Sequence, residues 1–356
     1  MRLLATTLRH MRRDRYRVTL LVLERDLSLK DEFPKEVDFL LLEGGRSLRS
    51  RMTALIAIIR AGREHDLIIS WSELTPTYLA AIAALITRRP VISWMHIHIS
   101  AIFRYRLRPE WLHRPVFHAV YPHLNSVVGV SQSVSRDLAE DFHLENVRCI
   151  PNSIDLEEIS RLARDTSTTV AAVPFASPLI VAVGVLDFQK GFDVLIAAHA
   201  RVRAAGVLHQ LVIAGKGNLE EDLRRLAERE GVKDSVHFVG FLKNPYPLMA
   251  RATGFVLSSR LEGFALVVAE ALALGVPVIA TNVAGPDEIL DGGRYGPLVP
   301  VDDITAMAEA MKRLLTDGEW HAALARTAPE AAERYDVRRI VPRIEALFDE
   351  VLGAAG

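Results

Sequence analysis

Glu262 and Glu270 flank a glycine in the stretch Ser258-Ser259-Arg260-Leu261-Glu262-Gly263-Phe264-Ala265-Leu266-Val267-Val268-Ala269-Glu270-Ala271-Leu272-Ala273. A strand is expected to end near Leu257, followed by a polar turn and then a run of strong helix formers. Gly263 lets a ligand approach the backbone closely. The unpaired N–H groups and the dipole at a new helix start favour an anion. At 3.6 residues per turn, Glu270 is expected about two turns into the helix, sharing a rim with the loop. A carboxylate accepts two hydrogen bonds from a vicinal diol. An anion-binding helix start flanked by carboxylates describes a site for a sugar nucleotide. The alternative is two ordinary surface glutamates. Against it, Glu270 is the one charge in the apolar run Leu266 to Ile279, and a lone carboxylate in an apolar helix is costly without partners.

Other residues carry chemistry less sharply. Lys190 stands directly before Gly191, after a strand and turn, where a cation would neutralise a leaving diphosphate if no metal is bound; a solvated turn lysine is the alternative. Ser93-Trp94-Met95-His96-Ile97-His98 follows a strand, and strand ends are where open α/β sheets form sites. His96 and His98 share one side of an extended segment, and either could instead be a hydrogen-bonded structural histidine. Residues 102–114 interleave aromatics with basic side chains. They read as a membrane-surface or acceptor-phosphate patch, or as a basic helical face that packs its aromatics inward. Trp71 to Thr77 follows another strand end and is a candidate acceptor contact.

The elements that must position these residues alternate along the chain. Apolar, β-branched runs predict strands at Val18–Leu23, Leu67–Ser70, Pro90–Trp94 and Ser126–Val130, then at Leu179–Gly184, Gln210–Ala214, Val236–Val239, Gly254–Leu257 and Val276–Ala280. Helical segments lie between many of them, which is the βαβ signature of an α/β fold with parallel sheets. The length of 356 residues suits two domains. We expect a first domain over 1–162, a linker over 163–178, a second domain over 179–335, and a tail over 336–356. The tail contains a helix from Val341 to Leu352, after Pro342, that returns to the first domain.

Composition excludes several classes. With 43 Lys+Arg against 44 Asp+Glu, no global charge points to nucleic acid. One cysteine, Cys149, allows no intramolecular disulfide and suits a reducing cytoplasm. No apolar run reaches the ~20 residues of a membrane-spanning helix, and Met1 to Arg17 lacks the apolar segment of a signal peptide. No Cys/His cluster has zinc spacing. No Gly-x-Gly-x-x-Gly opens a helix after a strand, which excludes a general dehydrogenase.

The Glu262 to Glu270 segment resembles the Glu-x7-Glu motif of the family 4 retaining glycosyltransferases. Gly184-Val185-Leu186-Asp187-Phe188-Gln189-Lys190-Gly191, Ala214-Gly215-Lys216-Gly217, Val239-Gly240-Phe241-Leu242-Lys243-Asn244-Pro245-Tyr246, Gly293-Arg294-Tyr295-Gly296-Pro297 and Pro151-Asn152-Ser153-Ile154-Asp155 resemble further family segments in the family's order. The resemblance implies a GT-B fold, two Rossmann-like domains facing across a cleft. It implies that Glu270 holds the ribose hydroxyls, that Glu262 and His96 contact the donor sugar, and that Lys190 neutralises the diphosphate. Gly263, Phe264 and Ala265 would meet the phosphate or sugar through backbone N–H groups. Gly184, Val185, Gly215, Leu242 and Leu266 complete the implied donor site. The donor would be a UDP- or GDP-sugar. The acceptor would be a glycan or polyprenyl-linked glycan of cell-surface polysaccharide, met at the inner face of the membrane. Transfer would be metal-independent and need no cofactor, in keeping with the lack of any Asp-x-Asp.

Two departures stand out. The family usually has Arg where this chain has Val185, and Arg260 is the candidate replacement cation. The family's first strand and Gly-rich loop also lack a counterpart, since Met1 to Leu4 already resembles the first helix and Val18 to Leu23 the second strand. That departure predicts an empty central sheet position with exposed strand edges. The rival functions are a nucleotide-sugar epimerase of the same fold and a non-catalytic or impaired nucleotide-sugar-binding subunit.

Overall fold

The computed structural model describes residues 2–22, 32–42, 48–105, 110–165 and 178–354. The chain folds as two units, Met1–Ser153 with Val337–Gly356, and Ile154–Asp336. Both are α/β, and the described strands pair in parallel throughout. The expected linker lies largely on residues 166–177, outside the described residues.

In the first unit, helix α1 (Arg2–His10) leads to strands β1 (Thr19–Val22) and β2 (Asp38–Leu41). Helix α2 (Leu48–Glu64), strand β3 (Ile68–Ser70), helix α3 (Thr75–Thr87), strand β4 (Val91–Met95) and helix α4 (Ile99–Tyr105) follow, then β5 (Ser126–Gly129) and β6 (Val147–Cys149). These strands form two sheets, β1-β2 and β3-β4-β5-β6. Every residue of β4 and β5 is buried, as parallel strands covered on both faces should be. By contrast, β1 is only half-buried and β2 is mostly exposed.

The C-terminal helix, Val337–Ala354, belongs to this unit. Glu345 accepts hydrogen bonds from the Arg12 backbone N–H at 2.8 Å and from Arg12 Nε at 2.9 Å, and Tyr16 donates to Asp349 at 3.0 Å. The helix begins before Pro342 rather than after it. Its buried stripe Val337, Ile340, Val341, Ile344, Leu347, Phe348 and Val351 continues through the proline at the i, i+3, i+4 spacing of a helix face.

In the second unit, strands β7 (Leu179–Val183), β8 (Gln210–Ala214), β9 (Val236–Gly240), β10 (Gly254–Leu257), β11 (Val278–Thr281) and β12 (Leu298–Val299) lie in the order β12-β11-β10-β7-β8-β9. Helices α5 (Phe192–Ala204), α6 (Leu266–Ala273) and α7 (Ala284–Leu290) carry the residues of interest. The chain runs outward from β7 through β8 to β9, then returns to place β10 on the other side of β7. Such a reversal opens a crevice at the carboxyl ends of the two central strands. Helix Leu156–Ala163, expected within the first domain, packs in this unit: Asn244 Nδ2 donates to Leu162 O at 2.9 Å.

A buried histidine pair makes this unit acid-sensitive. Val207 O can only accept, so His209 Nδ1, 3.0 Å away, carries a hydrogen and His209 Nε2 accepts from His199 Nδ1 at 2.8 Å. His199 Nε2 lies 2.9 Å from Ser235 Oγ. Burial first, then His209, Arg203 and His237, push His199 down to about 2; burial also lowers His209 and His237. The unfolded chain therefore binds protons below about pH 6.5 that the folded chain does not, and stability falls as pH falls. His199 alone should remove about 1.4 kcal/mol per pH unit below 6.5. Urea unfolding at pH 7.5 and pH 5 should show this loss, and His199→Phe should flatten it. A pH-independent midpoint would refute the assignment.

Candidate functional site

In the second unit the crevice between β7 and β10 is built by two loops bonded to each other. After β7, Asp187 caps a single 3-10 turn, Phe188–Lys190, by accepting from Lys190 N at 3.2 Å. Gly191 follows at φ +61 and starts α5; a Cβ there would lie 2.1 Å from Ser258 O. After β10, the second loop bonds back: Arg260 N donates to Gln189 O (2.7 Å), Gln189 Nε2 to Leu261 O (2.8 Å), and Ser258 Oγ to Lys190 O (2.8 Å). Buried Thr281, at the end of β11, anchors this loop by donating to Ser259 O at 2.5 Å.

This bracing brings Lys190 and Glu262 together. Lys190 Nζ lies 2.5 Å from Glu262 Oε1, which also accepts from Ser259 Oγ at 2.7 Å. Glu262 is only 8% exposed. Each charge-assisted bond of this kind is worth about 1.5–3 kcal/mol, so the pair fixes both side chains. Gly184 lies against the Lys190 stem, which a Cβ there would meet at 3.3 Å. Gly215, at φ +153, ends β8 so close to the first loop that a Cβ would lie 1.8 Å from Gly184 O. Leu242 stands just beyond β9.

Glu262, Gly263 and Phe264 lead into Ala265, which takes the left-handed conformation, φ 65, and gives α6 no side-chain cap. The first N–H groups of α6 are therefore left to an external acceptor. Because α6 begins at Leu266, Glu270 sits about one turn in, not two. It is half-buried, and Tyr246 OH donates to its Oε1 at 2.9 Å. Tyr246 was visible in the sequence only as part of a family segment; its bond to Glu270 joins residues 24 apart. Gly285, in α7, packs against the Phe264 backbone, where a Cβ would come within 2.8 Å.

Val185 is 56% exposed and supplies no charge. Arg260, the candidate replacement, is spent elsewhere. Its guanidinium binds Asp193 at 3.0 and 2.7 Å, Asp302 at 2.7 Å and Phe188 O at 2.8 Å, and it stacks over the Phe188 ring. Those partners lie far away in sequence, which is why no local pattern revealed them. Arg260 holds the two loops together rather than offering a free cation.

In the first unit, His96 and His98 follow β4. Glu73 accepts from His96 N at 2.7 Å, and Asp137 Oδ2 accepts from Ile99 N at 2.7 Å, so a carboxylate holds each end of the segment. Trp71 stacks on Trp94 and tilts against His96, with ring centroids 4.8 and 5.3 Å apart. Burial lowers both histidines, and Glu73 partly offsets it for His96. His96 Nε2 and His98 Nδ1 are buried without a hydrogen-bond partner, so geometry leaves both open as ligand contacts. Of the stretch 102–114, residues 106–109 lie outside the described residues. Phe103 is buried against Phe117 and Phe142, so that aromatic packs inward. Among the described residues, no helix is long and apolar enough to cross a membrane.

Two family models match in succession: Glycosyltransferase Family 4 over residues 2–158 and Glycosyl transferases group 1 over residues 177–317. The chain is 30% identical over 224 residues to the N-acetylgalactosamine-N,N'-diacetylbacillosaminyl-diphospho-undecaprenol 4-alpha-N-acetylgalactosaminyltransferase of Campylobacter jejuni, covering 62% of this chain and 59% of that one. It is 31% identical over 240 residues to the D-inositol 3-phosphate glycosyltransferase of Corynebacterium jeikeium, covering 63% and 57%. The chain thus spans less than two thirds of the length of these curated relatives. Among solved structures, Anabaena HepE in complex with UDP-glucose matches with a TM-score of 0.82 at 20% identity, over 98% of this chain and 96% of that one. The sucrose-phosphate synthase of Thermosynechococcus elongatus matches at 0.77 and 21%, over 99% and 92%. These likenesses establish the fold as GT-B, with two Rossmann-like domains. With the paired loops after β7 and β10 and two matching models in order, the chain belongs to the family 4, group 1 glycosyltransferases.

Proposed function

We propose that the chain is a retaining glycosyltransferase that moves a sugar from a nucleoside diphosphate to a glycan or lipid-linked glycan acceptor in cell-surface polysaccharide synthesis. The observation that carries this reading is the Lys190–Glu262 pair, seated where the strand order reverses and beside the uncapped start of α6. A diphosphate placed there meets an ammonium group and free N–H groups, which stabilise the charge that develops on the leaving oxygen. Glu262 and Glu270 accept hydrogen bonds from sugar and ribose hydroxyls. Transfer proceeds without a metal or cofactor. The relative from Campylobacter jejuni, named for a diphospho-undecaprenol acceptor, supports a polyprenyl-linked acceptor, met at the cytoplasmic face of the membrane with peripheral contact through residues 102–114.

A second reading, donor binding without turnover, is favoured by the uncharged Val185 and the occupied Arg260. Calorimetric titration with UDP, GDP and their hexose conjugates tests the donor site common to both readings; no heat with any of them would sink it. Glu270→Ala should weaken nucleotide binding by roughly 10-fold to 100-fold, the loss of one or two hydrogen bonds to a charged group. An unchanged affinity would defeat the ribose assignment. Sugar transfer to a polyprenyl diphosphate glycan separates the two readings.

A further inference from the structure

We propose that Tyr246 positions Glu270 to read the ribose of the donor, so that the second unit takes ribonucleoside diphosphates and rejects their 2′-deoxy counterparts; this rests on the donor site proposed above. Glu270 is the one charged residue of α6, and its neighbours Val268, Ala269, Ala271 and Leu272 are buried. A half-buried carboxylate in such a helix requires hydrogen-bond donors. Tyr246 supplies one, its hydroxyl lying 2.9 Å from Glu270 Oε1. A carboxylate only accepts, so the phenol donates. Being neutral, the phenol orients the carboxylate and leaves its charge in place.

The phenol is itself held. Tyr246 is only 4% exposed. Its backbone N–H donates to Asn244 Oδ1 at 3.2 Å, and Asn244 Nδ2 donates to Leu162 O at 2.9 Å, in the last turn of helix Leu156–Ala163. Met249 N donates to Pro245 O at 3.0 Å and Ala250 N to Tyr246 O at 2.8 Å, which closes the short helix Tyr246–Met249 around the ring's own backbone. Helix Leu156–Ala163 touches both this short helix and α6. Tyr246 and Glu270 therefore share one support, although 24 residues separate them. A fixed tyrosine fixes the glutamate before a nucleotide arrives, and binding does not have to order a three-torsion side chain.

That arrangement selects the sugar of the nucleotide. A vicinal diol brings two O–H donors to one carboxylate. With Oε1 turned by Tyr246, the carboxylate meets the diol in one orientation. Loss of the 2′-hydroxyl leaves one bond unmade and Glu270 short of a donor. A site built to hydrogen-bond a hydroxyl rejects the analogue that lacks it far better than an apolar pocket rejects an added one. The competing explanation is that the Tyr246–Glu270 bond only satisfies a carboxylate that packing has half-buried. The two differ in their effect on ribo- and deoxyribonucleotides. A packing role acts on both alike, and a reading role acts on the ribonucleotide.

The test is calorimetric titration of the full chain with UDP, 2′-deoxy-UDP, GDP and 2′-deoxy-GDP. The native chain should bind the ribonucleotide of its preferred base at least about tenfold more tightly than the deoxyribonucleotide, the loss of one hydrogen bond to a charged group. Tyr246→Phe keeps the ring and should shrink that preference by about threefold to tenfold, by weakening the ribonucleotide while the deoxyribonucleotide binds as before. Asn244→Ala, which loosens the phenol from behind, should shrink it in the same direction. In a Glu270→Ala background, Tyr246→Phe should change nothing further, because it acts through the carboxylate. Equal weakening of both nucleotides in Tyr246→Phe, or an undiminished preference, assigns the phenol to packing and overturns its positioning role. Equal binding of ribo- and deoxyribonucleotide by the native chain overturns the donor class. Both of those results leave the donor site standing, whereas no binding of any of the four by the native chain removes the site as well.

Discussion

Lys190→Ala should lower sugar transfer by about 100-fold to 1,000-fold, the loss seen when one preorganised donor to a developing oxyanion is removed. Neither Val185 nor Arg260 compensates, because Val185 is uncharged and Arg260 is held by Asp193, Asp302 and the Phe188 carbonyl. The loss should appear mainly in kcat, since an ammonium group helps most when negative charge collects on the leaving oxygen. The substitution also leaves buried Glu262 with the Ser259 hydroxyl and without its cation. Thermal unfolding must therefore be measured beside steady-state transfer of radiolabelled sugar, and Lys190→Met, which keeps the stem packed against Gly184, separates charge from packing. A fall of less than about threefold in both variants, with folding intact, would remove Lys190 from the reaction.

Gly191→Ala should be among the most destabilising single substitutions in the second unit, by about 3 kcal/mol or more. Two effects combine. The left-handed backbone, φ +61, costs a non-glycine residue about 1–2 kcal/mol, and the new Cβ would meet the Ser258 carbonyl oxygen at 2.1 Å. That oxygen belongs to backbone already fixed by neighbouring hydrogen bonds, so relief must move the loop and break the Ser258 to Lys190 bond. Gly206 supplies the internal control: it has φ +85 and nothing within 4 Å of a Cβ, so Gly206→Ala should show the backbone effect alone. Urea unfolding of the two variants measures the difference. Equal losses would mean that the contact with Ser258 does not constrain the loops.

Much of this architecture was legible in the residues. The nine strands foreseen from apolar runs are all present; β4, β5, β10 and β11 are mainly apolar because they are buried along their whole length, covered on both faces. The three that were missed, β2, β6 and β12, are short and stand at sheet edges. An edge strand such as Asp38–Leu41 or Val147–Cys149 tolerates polar residues, so it leaves no continuous run to detect. At the site, Lys190 and Glu262 were visible because a cation beside a glycine after a strand, and a carboxylate before a helix, are local signals. Their direct pairing was not, since 72 residues separate them. The capture of Arg260 by Asp193 and Asp302, and the bond from Tyr246 to Glu270, depend likewise on partners that only folding brings close. The placement of Glu270 was off by a turn because Ala265 in the left-handed conformation delays the helix to Leu266.

The pairing of Lys190 with Glu262 also bears on how a nucleotide arrives. Opposite charges 2.5 Å apart cancel each other's field within a few ångströms, so this pair offers a distant anion little attraction. Electrostatically steered association slows steeply with ionic strength; here the arrival rate should be nearly indifferent to salt. The ammonium becomes available to a diphosphate only on contact, when phosphate oxygens compete with Glu262 for it. Selection among anions is thereby made by fit at close range rather than by capture from solution.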